Sequence, residues 1–395
     1  MPTPAELADT ELTDTELTDA RALSPERDAR PGVSAPSESR LVGPVRIVGV
    51  GLLGTSVGLG LRNRGIEVIL ADASPTHLSI AIDYGAGRAA AADDAPQLIV
   101  VCVPPDVTAE VVARELANFP GAIVTDVASV KLAPLAELRA RGADVSRYIG
   151  SHPLAGREKG GPLSGRADLF IGRPWVVAAH DDISYQQAGA IDDLILDLGA
   201  VLVEMTPEEH DRGVALVSHV PQVIATLMAR RLTDAANSSL NLAGQGLRDV
   251  TRVAASDPDL WVQILGANAA PVREILVAYR EDLDRFIGAL TDPAAPGAKR
   301  RIAEELAGGN AGVARLPGKH GQDRRFVSMT VMVDDRPGQI AALLNDIGDL
   351  DVNVEDLRLE HSPGAQLGLA EISVLPEAVS RLTTELAARG WRIAG

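Results

Sequence analysis

The sequence is short of the residues on which several function classes depend. It has one cysteine in 395 residues, Cys102, set in the apolar run LIVVCVPP. That excludes a disulfide framework and a cysteine metal site, and the surroundings suit a buried strand residue better than a thiol nucleophile. No apolar run approaches the roughly 18 to 20 residues of a membrane helix, and the longest, IVGVGLLGTSVGLGL, is broken by glycines. Positive charge is scarce: 37 Lys and Arg stand against 54 Asp and Glu, a net charge of −17. Nucleic acid and anionic membranes are therefore not expected partners, since both need a basic face to displace counterions. The amino terminus has no basic segment followed by an apolar one, so no secretory signal is read there and a cytoplasmic location is expected. Metal-ligand clusters are not visible. Lysine is absent between Lys159 and Lys299.

What is present changes texture along the chain. Residues 1–43 carry a tandem repeat of Thr, Asp, Glu and Leu (ELADTELTDTELTDARAL) and then a Pro/Ser/Arg-rich run, the composition of a disordered acidic tail. Over 44–182 short β-branched runs (RIVGV, EVILADAS, QLIVVCVPP, GAIVTDVASV) alternate with helix-length segments. Such alternation predicts an α/β domain with a parallel sheet and crossover helices. Over 183–290, after one more strand-like run, AVLVEM, the pattern is that of long helices interrupted at Pro221 and Pro271. This predicts an all-α domain, and long apolar faces in a chain with only 3% aromatic residues suggest burial against a second copy. Residues 291–325 read as a linker rich in Pro, Gly and charge, with one short helix at KRRIAEELA. Residues 326–395 follow the order β-α-β-β-α-β, which predicts a ferredoxin-like α+β module.

Gly49-Val50-Gly51-Leu52-Leu53-Gly54 follows the first strand and opens a helix. In that setting the first glycine permits the tight turn, the second lets the backbone approach a pyrophosphate, and the third allows close helix packing. The helix amino terminus then faces the phosphates. A lone GxGxxG is weak evidence, but Asp72 answers it about twenty residues later at the end of the second strand. Its carboxylate would accept from a ribose 2′-hydroxyl and repel a 2′-phosphate, so a Rossmann-type domain binding NAD rather than NADP is expected.

The most unusual stretch is GSHPLAGREKGG, residues 150–161. By position alone His152 reads either as a structural histidine or as a catalytic one. It follows the strand-like YIG, which places it near the carboxyl edge of the sheet, where doubly wound folds bind ligands. Ser129, in TDVASVK, shares that edge. A dehydrogenase needs a base for the hydroxyl proton as hydride leaves the carbon, and a neutral imidazole suits the task.

Five strings in order, VGVGLLGTSVGLGL, DVASVK, SHPLAGREKGG, SHVPQ and DVTRVAASDPDLW, resemble the prephenate dehydrogenase family over residues 45 to about 290. The resemblance implies NAD-dependent oxidative decarboxylation of prephenate by a dimeric enzyme of tyrosine biosynthesis. It implies that His152 takes the hydroxyl proton, that Ser129 hydrogen-bonds the same hydroxyl, and that Arg252 binds a substrate carboxylate, for which a guanidinium fork is suited. His219 also matches a family position, or is equally a satisfied helix histidine. Where many members read SHLPH, this chain reads Ser218-His219-Val220-Pro221-Gln222, and an amide hydrogen-bonds but does not titrate. That leaves arogenate, or both substrates, as the alternative. Arg157 and Lys159 favour the keto acid prephenate, and Glu158 partly cancels them. Other two-domain dehydrogenases acting on 3-hydroxy acids usually rely on a lysine in the helical domain, which this chain lacks. A noncatalytic sensor of NAD and an amino acid is the remaining alternative.

Val333-Asp334-Asp335-Arg336-Pro337-Gly338-Gln339-Ile340 ends a strand and starts a helix whose free amides suit a carboxylate. With the strand order, it resembles an ACT domain, a module that commonly binds amino acids at paired copies. The resemblance implies either a tyrosine-binding regulatory domain, with Gly338 and Asn353 as contacts, or a dimerisation module that binds nothing.

Overall fold

The computed structural model describes residues 39–156, 160–183, 185–316, 326–361 and 367–394. The first domain contains β1 (Val45–Val48), α1 (Leu52–Arg62), β2 (Val68–Ala71), α2 (Pro75–Asp83), β3 (Arg88–Ala89), β4 (Leu98–Val101), α3 (Pro105–Asn118), β5 (Ile123–Asp126), α4 (Leu132–Ala140), β6 (Tyr148–Pro153), β7 (Pro174–Ala178), α5 (Tyr185–Asp197) and β8 (Val201–Met205). Its eight strands lie in the order β3-β2-β1-β4-β5-β6-β7-β8. All neighbours are parallel except β6 and β7. The order reverses between β1 and β4, so the crevice for a ligand opens beyond their carboxyl ends.

The apolar runs form strands because both faces of this sheet are covered. Leu98–Val101 are all buried, as are Ile47, Ile69, Leu70 and Val124, each burial contributing about 1.5–3 kcal/mol. Alternation is lost in such strands, and the continuous run replaces it.

The sheet extends beyond the expected domain end at residue 182. β8 pairs with β7 in parallel, from Pro174↔Val201 to Ala178↔Met205, so α5 and β8 form one more crossover unit of the first domain. The amino-terminal boundary also shifts. Residues 39–43 were expected within the tail, yet Ser39 Oγ and the Arg40 and Leu41 amides all donate to the buried Asp197 carboxylate at 2.7–3.1 Å. The rest of the expected tail, residues 1–38, lies outside the described residues.

The helical domain comprises α6 (Pro207–Val214), α7 (Val220–Arg230), α8 (Asn237–Leu240), α9 (Gln245–Thr251), α10 (Pro258–Ala267), α11 (Ala269–Thr291) and α12 (Ala298–Val313). A π-helical turn, Ala215–His219, joins α6 to α7. Half of the expected linker is thus α12, which packs on α11 and is tied to it by Arg285 Nε and Glu305 Oε1 at 2.7 Å. Glycines at 308, 309 and 312 weaken the helix signal there, and tertiary packing overrides it. Residues 317–325 lie outside the described residues.

The last module holds β9 (Val327–Asp334), α13 (Gln339–Asp349), β10 (Asp356–His361), β11 (Leu367–Val374), α14 (Pro376–Ala388) and β12 (Arg392–Ala394). Its antiparallel sheet has the order β10-β11-β9-β12 around a separate core of Val331, Leu343, Ile372 and Leu386. No helix among the described residues is long and apolar enough to cross a membrane.

Candidate active site

The glycine loop after β1 has the geometry its spacing predicts. Gly49 has φ +94°, and a Cβ there would sit 2.5 Å from the Cys102 carbonyl oxygen. At Gly54 a Cβ would meet the Gly49 carbonyl oxygen at 1.9 Å, whereas at Gly51 it would meet nothing within 4 Å. Packing therefore forces the outer two glycines, and the middle one leaves open backbone at the start of α1. The amides of Leu52 and Leu53, in the first turn, have no intrahelical acceptor and face that opening, as a pyrophosphate requires.

Asp72 follows β2 directly. Its Oδ2 accepts from Val50 N and its Oδ1 from Ser74 N, both at 2.7 Å. Each oxygen keeps a further lone pair for a ribose hydroxyl. The carboxylate thus also braces the glycine loop, a role the spacing did not reveal. Asp72→Ser is expected to weaken NAD binding by about 10- to 100-fold, the worth of hydrogen bonds to a charged group, and to narrow the preference over NADP. Equal coenzyme titrations in wild type and variant would remove Asp72 from the site. Cys102, next to this loop, is half-buried, and burial pushes its thiol far up, which disfavours the thiolate that a nucleophile needs.

His152 lies within β6 rather than after it, two residues beyond Gly150, which pairs with Asp126 of β5. Ser129 lies three residues past Asp126, so the two side chains occupy adjacent strand ends on the carboxyl edge. Beneath them is a buried network. Asp126 Oδ2 accepts from Tyr148 Oη at 2.6 Å, and its Oδ1 from Ala128 N at 2.8 Å and from the Lys131 ammonium. Lys131 Nζ also donates to the Ser151 carbonyl at 2.7 Å. One ion pair therefore grips both the Ser129 loop and the strand residue before His152.

The helical domain supplies the partner of His152. Thr206 and Glu209 form a reciprocal capping box, with Pro207 in the first turn, which fixes the phase of α6. His210 and Asp211 are thereby turned inward, each 1% exposed. Asp211 Oδ1 accepts from His210 Nδ1 at 2.7 Å, and its two oxygens accept from the Lys131 and Leu132 amides at 2.8 and 3.0 Å, capping α4. His210 Nε2 lies 2.9 Å from His152 Nδ1. A carboxylate only accepts, so His210 Nδ1 carries the hydrogen and its Nε2 accepts from His152 Nδ1. The lone pair of His152 is left on Nε2. Burial first, then His210, Lys131 and His219, hold its pKa well below the ordinary 6.5, so the ring is neutral and able to take a proton.

His219 is 1% exposed at the end of the π turn; its ring meets the edge of Trp261 at 5.9 Å, and burial lowers its pKa to about 4. Gln222, three residues on, is buried in α7. Arg252 begins an exposed turn that packs on α7; it is brought to the Gln222 helix but not into the hydrogen-bonded cluster. Arg157, Glu158 and Lys159 lie outside the described residues. Gly338 (φ +88°) precedes α13 and Asn353 lies in the segment after its last residue, Asp349, with roughly 16 Å of helix between, and Asn353 Nδ2 donates to Glu355. One module does not bring them together.

Sequence reasoning missed His210, Asp211, Asn268, Asp126 and Lys131. A signal existed in TPEEHDR, where a histidine and an aspartate follow a capping box in a helix otherwise polar, and in the lone lysine of DVASVK. Among the described residues no group of three His, Cys, Asp or Glu could hold a metal ion.

Residues 57–204 match the family model for the prephenate dehydrogenase nucleotide-binding domain, and 206–304 that for the prephenate dehydrogenase dimerization domain. The chain is 35% identical to the probable prephenate dehydrogenase NovF of Streptomyces niveus, over 87% of this chain and 98% of that protein. Among solved structures, prephenate dehydrogenase from A. aeolicus, in complex with hydroxyphenyl propionate and NAD+, aligns with a TM-score of 0.60 and 25% identity, covering 68% of this chain and 97% of that one. Synechocystis arogenate dehydrogenase aligns with a TM-score of 0.57 and 26% identity, covering 68% and 99%. The two family models together span most of residues 57–304, and with the relative at 35% identity they show that the chain belongs to the prephenate dehydrogenase family.

Proposed function

We propose that this protein catalyses the NAD-dependent oxidative decarboxylation of prephenate to 4-hydroxyphenylpyruvate. The observation that carries the reading is the Asp211–His210–His152 chain, which leaves an unprotonated Nε2 on β6, the neighbour of the strand that leads into Ser129. Bound NAD supplies the hydride acceptor. His152 Nε2 takes the proton of the ring hydroxyl as hydride departs, and the resulting imidazolium keeps its Nδ1–H on His210, whose own hydrogen rests on the Asp211 carboxylate. Ser129 hydrogen-bonds the same hydroxyl. Loss of carbon dioxide makes the ring aromatic, so the step is downhill, and the protein's work is positioning. Arg252 is the carboxylate ligand, and Gln222 contacts the substrate side chain through an amide that carries no charge to pair with an ammonium.

The exposed apolar side chains of α7, α10 and α11, among them Leu227, Val262, Leu283 and Ile287, favour a homodimer through the helical domain. The carboxy-terminal module is read as an ACT domain that binds tyrosine. Since α13 lies between Gly338 and Asn353, two copies of the module are needed for both to meet one ligand.

The test follows NADH absorbance with NAD and either prephenate or arogenate, with and without tyrosine. Turnover of prephenate with inhibition by tyrosine is expected, and a chain ending at Leu316 should lose the inhibition. Turnover of arogenate alone would reassign the substrate. No turnover of either, with NAD still bound, would favour the sensor. Equal inhibition of both chains would place tyrosine at the active site.

A further inference from the structure

Asn268 sits at the junction of α10 and α11, 2% exposed, and its side-chain amide makes two contacts that decide each other. Its Nδ2 is 2.8 Å from the Asp211 carbonyl oxygen and 3.1 Å from His219 Nδ1. A carbonyl oxygen only accepts, so the atom facing it is the NH2 group and the amide orientation is fixed. That NH2 has two hydrogens: one goes to Asp211 O and the other points to His219 Nδ1. Nδ1 must then carry a lone pair, and in the neutral ring the hydrogen is on Nε2. Protonating the ring would put Nδ1–H against an N–H donor. Among the described residues Nε2 has no protein acceptor.

His152 and His219 therefore have opposite tautomers, both traced to Asp211. The Asp211 side chain, through His210, leaves His152 with an acceptor at Nε2. The Asp211 main-chain carbonyl, through Asn268, leaves His219 with a donor at Nε2. We propose that Asn268 is a positioning residue that holds His219 as a neutral, one-directional hydrogen-bond donor for an oxygen acceptor of the substrate, a ketone or carboxylate oxygen. An ammonium offers only donors and would face a donor. This rests on the dehydrogenase reading above, and names the chemical group its site accepts. Burial, the main cause lowering the His219 pKa to about 4, acts in the same direction as the amide.

The tautomer is directly observable. The full-length protein labelled with ¹⁵N-histidine gives long-range ¹H–¹⁵N correlations that separate Nε2–H, Nδ1–H and imidazolium rings, and a His219→Asn variant identifies the His219 signals. The expected result at neutral pH is the Nε2–H form for His219. An Nδ1–H or imidazolium ring in the wild type overturns the proposal. Asn268→Asp, whose carboxylate accepts, should reverse the ring to Nδ1–H and raise KM for the keto acid by about 10- to 100-fold, with a much smaller change in kcat. Asn268→Ala, which keeps no polar group, should give a mixture of tautomers and an intermediate KM. An unchanged KM in a folded variant whose tautomer has changed would remove the substrate role. Absence of turnover in the wild type would sink the dehydrogenase reading, while the spectrum would still decide the tautomer.

Discussion

His152→Asn is expected to lower turnover by about two to four orders of magnitude, the usual worth of a general base, with NAD affinity unchanged. Asparagine keeps a polar group near His210 but has no site that takes up a proton. NAD affinity should hold because the glycine loop and Asp72 lie on β1 and β2, on the other side of β4 and β5 from β6. Steady-state NADH formation measures the first quantity and a coenzyme titration the second. Near wild-type turnover would refute the assignment. The pH dependence supplies a sign. A base works deprotonated, so activity is lost as pH falls through its pKa. Since burial holds His152 well below the ordinary 6.5, the acid limb of kcat should lie below that value.

Local chemistry was legible in the sequence and long-range chemistry was not. The glycine loop depends on residues within one turn, and its partner Asp72 follows at a spacing set by one strand–helix–strand unit. Both were readable for that reason. His152 was readable as a candidate only because its strand follows the nucleotide-binding ones. Its partner His210 is 58 residues away in sequence, and Asp211 reaches 80 residues back to Lys131. Such pairings arise where the helical domain lands on the sheet, and no periodicity encodes that. The same limit explains the misplaced domain boundary. AVLVEM was visible as a strand, but its membership of the first sheet depends on pairing with β7, which itself enters antiparallel to β6 and breaks the alternation that made the earlier strands readable. Arg252 shows the converse: the resemblance singles it out, yet its side chain is exposed and makes no hydrogen bond to the His152–His210–Asp211 chain among the described residues.

The buried pair Lys131–Asp126 gives the second large effect. Lys131 is 2% exposed and Asp126 fully buried, and burial alone would drive the lysine towards neutrality, lowering its pKa, while Asp126 opposes that. Lys131→Met removes the ammonium and leaves the Asp126 carboxylate with only Tyr148 and the Ala128 amide. Breaking a buried pair in this way costs about 3–5 kcal/mol, so a fall in melting temperature on the order of 10 °C is expected. A loss under about 1 kcal/mol would mean that the pair does not hold the two strand ends together. The double variant Lys131→Met/Asp126→Asn separates fold from catalysis. It retains an acceptor for the Ala128 amide and a partner for Tyr148 but buries no net charge, so it should recover most of the lost stability. It cannot restore the bond from Lys131 Nζ to the Ser151 carbonyl, which fixes the backbone immediately before His152. Recovered stability with depressed kcat would therefore show that the pair positions the base, whereas recovery of both would confine its role to the fold.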